Sequence, residues 1–274
     1  MTILIIGGSG FVSGTLARLA LEQNHDVWTI TRGNKPLPDG VHSITADRSE
    51  TDAVKKALVE ANISWDLVVD CIGYQTEHAK QDIEMFLSSE QSMCGHLVFI
   101  STDFVFHPEK RVFPQPEHAE EFIESGYGYN KRQCELLFEE TARRDCWTVL
   151  RPCHIYGPGS QLGCLPDHGR DPELIEKIRA GEPLKLVGAG TYLQQPVFAR
   201  DLAGAILSVP ESSKANGKIF NIAGPEIIES RTYYEIIANL VGESVNVEEL
   251  PVQAYRNEHR DKRSFLCHRI YDLT

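Results

Sequence analysis

The chain has 274 residues, room for one large α/β domain or a nucleotide domain with a smaller lobe, and 42% of them are hydrophobic, enough for a substantial core. Its formal net charge of -12 at pH 7 repels phosphate backbones, which argues against nucleic-acid binding and leaves any bound phosphate to local groups. No apolar run approaches the ~20 residues needed to cross a bilayer, so no membrane partner is expected, and the N-terminus lacks the basic flank and cleavage site of a secretory signal.

From Thr2 the chain reads TILIIGGSGFVSG, an apolar strand that runs straight into a glycine cluster opening an amphipathic helix. This is the layout of a dinucleotide-binding turn, in which the unpaired N–H groups and partial positive charge of a helix start meet a pyrophosphate. Gly7 and Gly8 allow the tight turn, Gly10 lets the backbone approach the phosphates, and Ser9, Phe11 and Val12 complete the contact surface. The third glycine of the fingerprint falls at Ser13, with Gly14 one residue late. A lone fingerprint also fits a plain strand-to-helix turn. Here, however, the helix predicted over 11–23 sets Val12, Leu16, Leu19 and Ala20 on one face, and a strand follows over 27–31, completing a βαβ unit.

Strand and helix patterns alternate up to residue 152, with strands over 41–46, 66–72, 96–101 and 147–150 and helices over 50–61, 77–91 and 127–144. Apolar strands buried on both faces predict a parallel sheet covered by helices, so residues 1–152 are expected to be the nucleotide domain. Residues 107–126 form a long acidic, proline-bearing connection that suits a lid over a cleft and equally a solvated loop. After Pro152, glycine and proline crowd the stretch 157–190, and helices are predicted near 172–180, 200–208 and 230–241. Residues 153–274 are expected to form a smaller substrate lobe on the carboxyl edge of the sheet. The seven cysteines show no metal spacing, so no metal is expected, and reduced core thiols in a cytoplasmic protein are the simplest account.

Tyr127 and Lys131 stand four residues apart at the start of a helix, hence on one face. A free tyrosine titrates near pH ~10, and a neighbouring ammonium stabilises the phenolate, so such a pair can move a proton. The same spacing also arises by chance in surface pairs. Upstream, Ser101 and Thr102 put hydroxyls at the carboxyl end of a buried strand. Downstream, Arg151 to Gly159 (RPCHIYGPG) closes the last strand of the nucleotide half with a turn, where Pro152 and His154 are candidates to line the cofactor pocket.

These four motifs, in this order and spacing, make residues 1 to about 240 resemble the extended short-chain dehydrogenase/reductase family, the NAD-dependent epimerase/dehydratase group acting on nucleotide sugars. The resemblance implies a Rossmann fold, a doubly wound parallel sheet with a smaller C-terminal lobe. It implies Tyr127 as the acid/base, Lys131 as the residue that binds the nicotinamide ribose and tunes the tyrosine, and Thr102 as the hydroxyl that bonds the substrate oxygen, with Ser101 beside the cofactor. Asp47 and Arg48 would flank the adenine, and Cys71, Ile72 and Gly73 would border the nicotinamide-side phosphate and ribose. At the end of the second strand, Thr31-Arg32 replaces the acidic residue that would bind a ribose 2′-OH, so NADP is favoured over NAD. The alternative is a surface Arg32 paired with Asp47 or Glu50.

Departures limit the transfer of function. Phe104 stands where dehydratases of this kind carry a glutamate, so sugar dehydration is disfavoured and STDFVF looks closer to dehydrorhamnose reductases. Gln194 replaces an arginine expected on the nucleotide diphosphate, with Arg170, Arg179, Arg260 or Arg263 as candidate substitutes. The chain stops at IYDLT, where relatives continue into another helix, which would leave part of the lobe absent. His107 and His118 are candidates to reach substrate from the lid, or else ordinary histidines. The leading expectation is an NAD(P)-dependent oxidoreductase or epimerase on a nucleotide-sugar-like substrate; the sequence leaves the oligomeric state open, a homodimer through helices 77–91 and 127–144, which relatives often use for dimers, being one option. Its competitors are a non-catalytic nucleotide-binding protein, redox-sensing or RNA-associated, and a small-molecule carbonyl reductase.

Overall fold

The computed structural model describes residues 1–88, 94–142, 145–164 and 170–258. Its central elements run β1 (Thr2–Ile6), α1 (Phe11–Glu22), β2 (Asp26–Thr31), β3 (His42–Thr45), α2 (Thr51–Ala61), β4 (Trp65–Asp70), α3 (Thr76–Asp82, running on into a π turn over Ile83–Leu87), β5 (Cys94–Ile100), α4 (Gly126–Thr141), β6 (Trp147–Pro152), α5 (Ala199–Ser208) and β7 (Lys218–Ile222). The seven strands form one sheet in the order β7-β6-β5-β4-β1-β2-β3, parallel throughout.

Burial explains why these segments are strands. Ile3, Leu4 and Ile5 of β1, Leu67, Val68 and Val69 of β4, and Leu97, Val98 and Phe99 of β5 are all fully buried. Successive residues of a strand point to opposite faces, so continuous apolar runs require cover on both. Each such side chain contributes about 1.5–3 kcal/mol by leaving water.

The strand order reverses between β1 and β4, since β2 and β3 lie on one side and β5, β6 and β7 on the other. At such a switch point the connections leave in opposite directions and open a crevice at the carboxyl ends. Two backbone bonds mark its edges: Gly7 N–H donates to Ile30 O (3.0 Å), and Cys71 N–H donates to Ile6 O (3.1 Å).

The division of the chain differs from a single boundary at 152/153. One compact unit comprises 1–103, 129–152 and 198–222; the other comprises 104–128, 153–197 and 223–274. The chain returns to the sheet because β7 pairs with β6 along its whole length, from Lys218 beside Thr148 to Ile222 beside Pro152. α5 also ties to α1, where Arg200 Nη2 meets Glu22 Oε2 at 2.6 Å. β7 escaped the sequence reading because Lys218 and Asn221 interrupt its apolar run and its residues are only partly buried. Of the helix predicted over 77–91, the described part ends at Leu87, with 89–91 outside the described residues.

The second unit holds short ladders rather than a large sheet. Leu193–Gln194 runs antiparallel to Ile228–Glu229, and Pro183–Val187 runs parallel to Asn246–Leu250. Helices Leu174–Arg179 and Ser230–Leu240 pack around Leu184, Leu186, Tyr234 and Ile237. The connection over 107–126 is closed by its own bonds: Phe106 bridges and stacks on Phe122, and Ile123 N–H donates to Val105 O at 2.9 Å.

Candidate functional site

The carboxyl ends of β1, β2 and β4 open on a cleft of about 690 Å³ whose floor is the glycine turn, with Gly7, Ser9, Gly10, Phe11 and Val12 on its lining. The turn demands its glycines. Gly7 and Gly8 have φ of +126° and +102°, and a Cβ on Gly8 would stand 2.5 Å from Thr29 Cγ2. Gly10 precedes α1 and donates its N–H to Ser13 Oγ at 3.0 Å, so serine at the third fingerprint position satisfies the turn by a side-chain bond. The N–H groups of Phe11, Val12 and Ser13, at the first turn of a helix, have no carbonyl four residues back in that helix. With no acidic residue in the first turn, that end of α1 keeps its positive partial charge.

At the end of β2, Thr31 Oγ1 accepts the Gly33 N–H at 3.0 Å, and Arg32, Asn34 and Lys35 line the cleft. Arg32 forms no ion pair with Asp47 or Glu50 among the described residues. Asp47 faces the same cleft, its Oδ1 accepting the backbone N–H and the hydroxyl of Ser49, which hold its carboxyl below the usual carboxylate range.

Arg48 also borders the cleft, but its guanidinium is committed to the protein. Nη1 meets Asp70 Oδ1 at 2.5 Å, Nη2 meets Asp82 Oδ1 at 2.8 Å, and Nη2 donates to His78 O at 3.0 Å, with all three charged side chains buried. A desolvated guanidinium must be neutralised where it lies, and these carboxylates do so while Arg48 still borders the cleft. Burial raises the Asp82 carboxyl well above its ordinary range, whereas Arg48 overcomes burial at Asp70 and holds it low.

On the far side, Cys71, Ile72, Tyr74 and His78 line the cleft. Gly73 packs so tightly that a Cβ would strike the Asp70 carboxylate and the Phe99 ring. Its carbonyl and that of Ile100 each accept a hydrogen bond from Lys131 Nζ at 2.6 Å. The ammonium also lies 5.1 Å from the Tyr74 ring centroid and 4.8 Å from that of Phe99. Burial lowers its pKa from the ordinary lysine value, with Asp70 opposing.

Ser101, expected beside the cofactor, is buried, and its hydroxyl donates to Glu135 Oε1 at 2.6 Å. Glu135 receives Arg151 on the same carboxylate, Nε to Oε1 at 2.8 Å and Nη2 to Oε2 at 2.7 Å. Thr102 follows β5 and is buried, as is Pro152 at the end of β6. Tyr127 occupies the first turn of α4, one turn before Lys131. Its segment tolerates no bulk, since a Cβ on Gly128 would collide with Phe104 O.

In the second unit His154 accepts the Val197 N–H on its carbonyl (2.8 Å) and sets its ring edge-on to Tyr233. Gln194 is 1% exposed and pairs with Ile228, a buried strand position rather than a surface one. Of the arginines that could replace a diphosphate contact, Arg170 donates to Gln161 O and Ile155 O, and Arg179 pairs with Glu176. Arg260 and Arg263 lie outside the described residues.

The structure thus gathers Gly7, Ser9, Gly10, Phe11, Val12, Thr31, Arg32, Asp47, Arg48, Cys71 and Ile72 around one cleft. Sequence reasoning missed Asn34, Lys35, Tyr74 and His78 there. Tyr74 had a local signal, since it directly follows the Asp70 to Gly73 turn after an apolar strand. The set fits a dinucleotide: a tight glycine turn, the start of a helix for a pyrophosphate, and cations with no acid at the end of β2. Among the described residues no group of His, Cys, Asp and Glu could hold a metal ion, and no helix is long and apolar enough to cross a membrane.

A family model described as the NAD dependent epimerase/dehydratase family matches residues 3–223. The chloroplast stem-loop binding protein of 41 kDa b from Arabidopsis thaliana is 27% identical over 244 residues, 82% of this chain, and the chain spans only 59% of that relative's length. The 2′-dehydrokanamycin reductase of Streptomyces kanamyceticus is 24% identical over 288 residues, covering 100% of this chain and 77% of the relative. Among solved structures, the UDP-glucose 4-epimerase of Thermotoga maritima with UDP-glucose gives a TM-score of 0.73 at 20% identity over 92% of this chain and 86% of that one, a likeness of fold.

Proposed function

The chain belongs to the NAD-dependent epimerase/dehydratase family, and from that premise we propose that it is an NADP-preferring oxidoreductase or epimerase acting on a hydroxyl or keto group of a nucleotide-sugar-like substrate. The observation that carries the reading is the glycine-turn cleft at the switch point, with Arg32 and Lys35 rather than a carboxylate at the end of β2. When bound, the cofactor supplies or accepts the hydride.

The protein's part is positioning and proton transfer. The start of α1 receives the pyrophosphate, and Arg32 and Lys35 meet a 2′-phosphate with charge-assisted hydrogen bonds. Lys131, fixed by the Gly73 and Ile100 carbonyls, orients the nicotinamide-side ribose and favours the phenolate of Tyr127. Tyr127 gives or takes the proton of the substrate hydroxyl, and Thr102 hydrogen-bonds the same oxygen.

Titration with NADPH and NADH, followed by a panel of UDP- and dTDP-sugars against neutral ketones scored by cofactor absorbance, tests the reading. Absence of binding by either cofactor would sink it. Turnover of neutral ketones alone would move the substrate to a general carbonyl reductase, the reading that buried Gln194 favours. Likeness to the Arabidopsis stem-loop binding protein raises a non-catalytic alternative. The charge of -12 opposes a polyanionic partner, and RNA binding without turnover would establish it.

A further inference from the structure

We propose that Asp70 is a positioning residue for Lys131: held by Arg48, it fixes the 71–73 turn whose carbonyl holds the Lys131 Nζ. This rests on the reading of Lys131 as the residue that orients the nicotinamide-side ribose.

Asp70 ends β4 with no exposed surface. Its Oδ1 accepts the Ile72 N–H at 2.8 Å and meets Arg48 Nη1. Arg48 is itself held at both ends. Its guanidinium reaches Asp82 and the His78 carbonyl, and its own carbonyl accepts from Gln81 Nε2 at 3.1 Å. Gln81 Nε2 also donates to Thr51 Oγ1, so α3 and the start of α2 are pinned around one buried guanidinium. Gly73 then lies in contact with both Asp70 and Phe99, leaving no room for a Cβ. Displacing the Asp70 carboxylate would release the turn and move the carbonyl that Lys131 binds.

Charge points the same way. Arg48 and Lys131 place two cations in a region closed to water, and a buried cation without an anion is strongly disfavoured. Asp70 and Asp82 both meet the Arg48 guanidinium, which holds the Asp70 carboxyl below its ordinary range against burial. The Asp70 charge opposes the loss of the Lys131 proton that burial favours. Asp70 has no exposed surface, which separates this role from direct cofactor contact.

The test compares wild type, Asp70→Asn and Lys131→Met for binding of whichever of NADPH and NADH the wild type holds more tightly, read by cofactor fluorescence. The matching adenosine half, adenosine 2′,5′-bisphosphate or ADP, is measured by calorimetry. Lys131 serves only the nicotinamide side, so both variants should lose at least ~10-fold in dinucleotide affinity while the adenosine half changes by less than about twofold. Equal losses for both ligands in Asp70→Asn, or no loss for either, would overturn the role of Asp70 while leaving Lys131 in place. A Lys131→Met protein that binds both ligands normally would remove the reading of Lys131 and this role with it. Should Asp70→Asn fail to fold, Arg48→Met/Asp70→Asn, in which cation and carboxylate leave together, is read by the same ratio.

Discussion

Glu135 gives the sharpest test of how the sheet carries its site. Ser101 Oγ, Arg151 Nε, Arg151 Nη2 and Arg132 Nη1 all donate to this one carboxylate, at 2.6, 2.8, 2.7 and 3.0 Å. Glu135 and Arg151 are essentially without exposed surface, so the pair joins α4 to β6 where water cannot substitute. Glu135→Gln keeps the volume but turns an amide N–H₂ toward arginine donors and leaves Arg151 buried without its anion. Breaking a buried pair in this way costs about 3–5 kcal/mol, a large share of a stability of about 5–15 kcal/mol. For a chain of this size that lowers the midpoint of thermal unfolding by roughly 6–20 °C, at about 2–4 °C per kcal/mol. Circular dichroism melts check this, with Arg132→Ala as the control. Its removal should lower the midpoint less than Glu135→Gln does, because Arg151 stays on the carboxylate. Ser101→Ala should melt a little lower and keep its cofactor affinity, because its hydroxyl is spent on Glu135. A Glu135→Gln protein melting within about 2 °C of wild type, or a Ser101→Ala protein with intact melting and a tenfold loss of cofactor affinity, would refute the reasoning.

Three further outcomes are expected. Tyr127→Phe should lower turnover by at least ~10²-fold with cofactor affinity nearly unchanged, the lower range for general acid–base catalysis; near-normal turnover removes the assignment. Arg32→Asp should erase or reverse a preference for NADPH over NADH, and equal wild-type affinities for the two would show that Arg32 does not face the 2′-phosphate. His96 is buried, bonded through Nε2 to Thr148 Oγ1 at 2.9 Å, and burial pushes it down from 6.5 to about 4. Its folded pKa is depressed, so its neutral form adds stability that is whole above pH 6.5 and is lost as pH falls toward 4, by at most about 3 kcal/mol. Urea unfolding at pH 7 and pH 5 should show that loss in wild type and a flatter profile in His96→Gln.

Much of the fold was legible because its signals are local. The apolar runs of β1, β4 and β5 announce strands buried on both faces, and the glycine turn announces the start of α1. What stayed hidden depends on partners remote in sequence. β7 is a strand because β6 offers it an edge, and its own residues, with Lys218 and Asn221 among them, do not say so. Ser101 and Arg48 were correct as residue types at the right strand ends. Whether a hydroxyl or guanidinium faces a ligand depends on what already occupies it, here Glu135 for the one and Asp70 with Asp82 for the other.

The pair at 127 and 131 shows how far spacing alone reaches. Four residues set Tyr127 and Lys131 on one helical face, which the sequence states outright. Spacing is silent on depth, and there the two differ most: Tyr127 is 45% exposed in the first turn of α4, whereas Lys131, one turn deeper, is 1% exposed against Gly73 and Ile100. That inequality is what proton transfer by such a pair requires. A phenol must reach the oxygen it protonates, while a cation that tunes it acts more strongly the less water screens it.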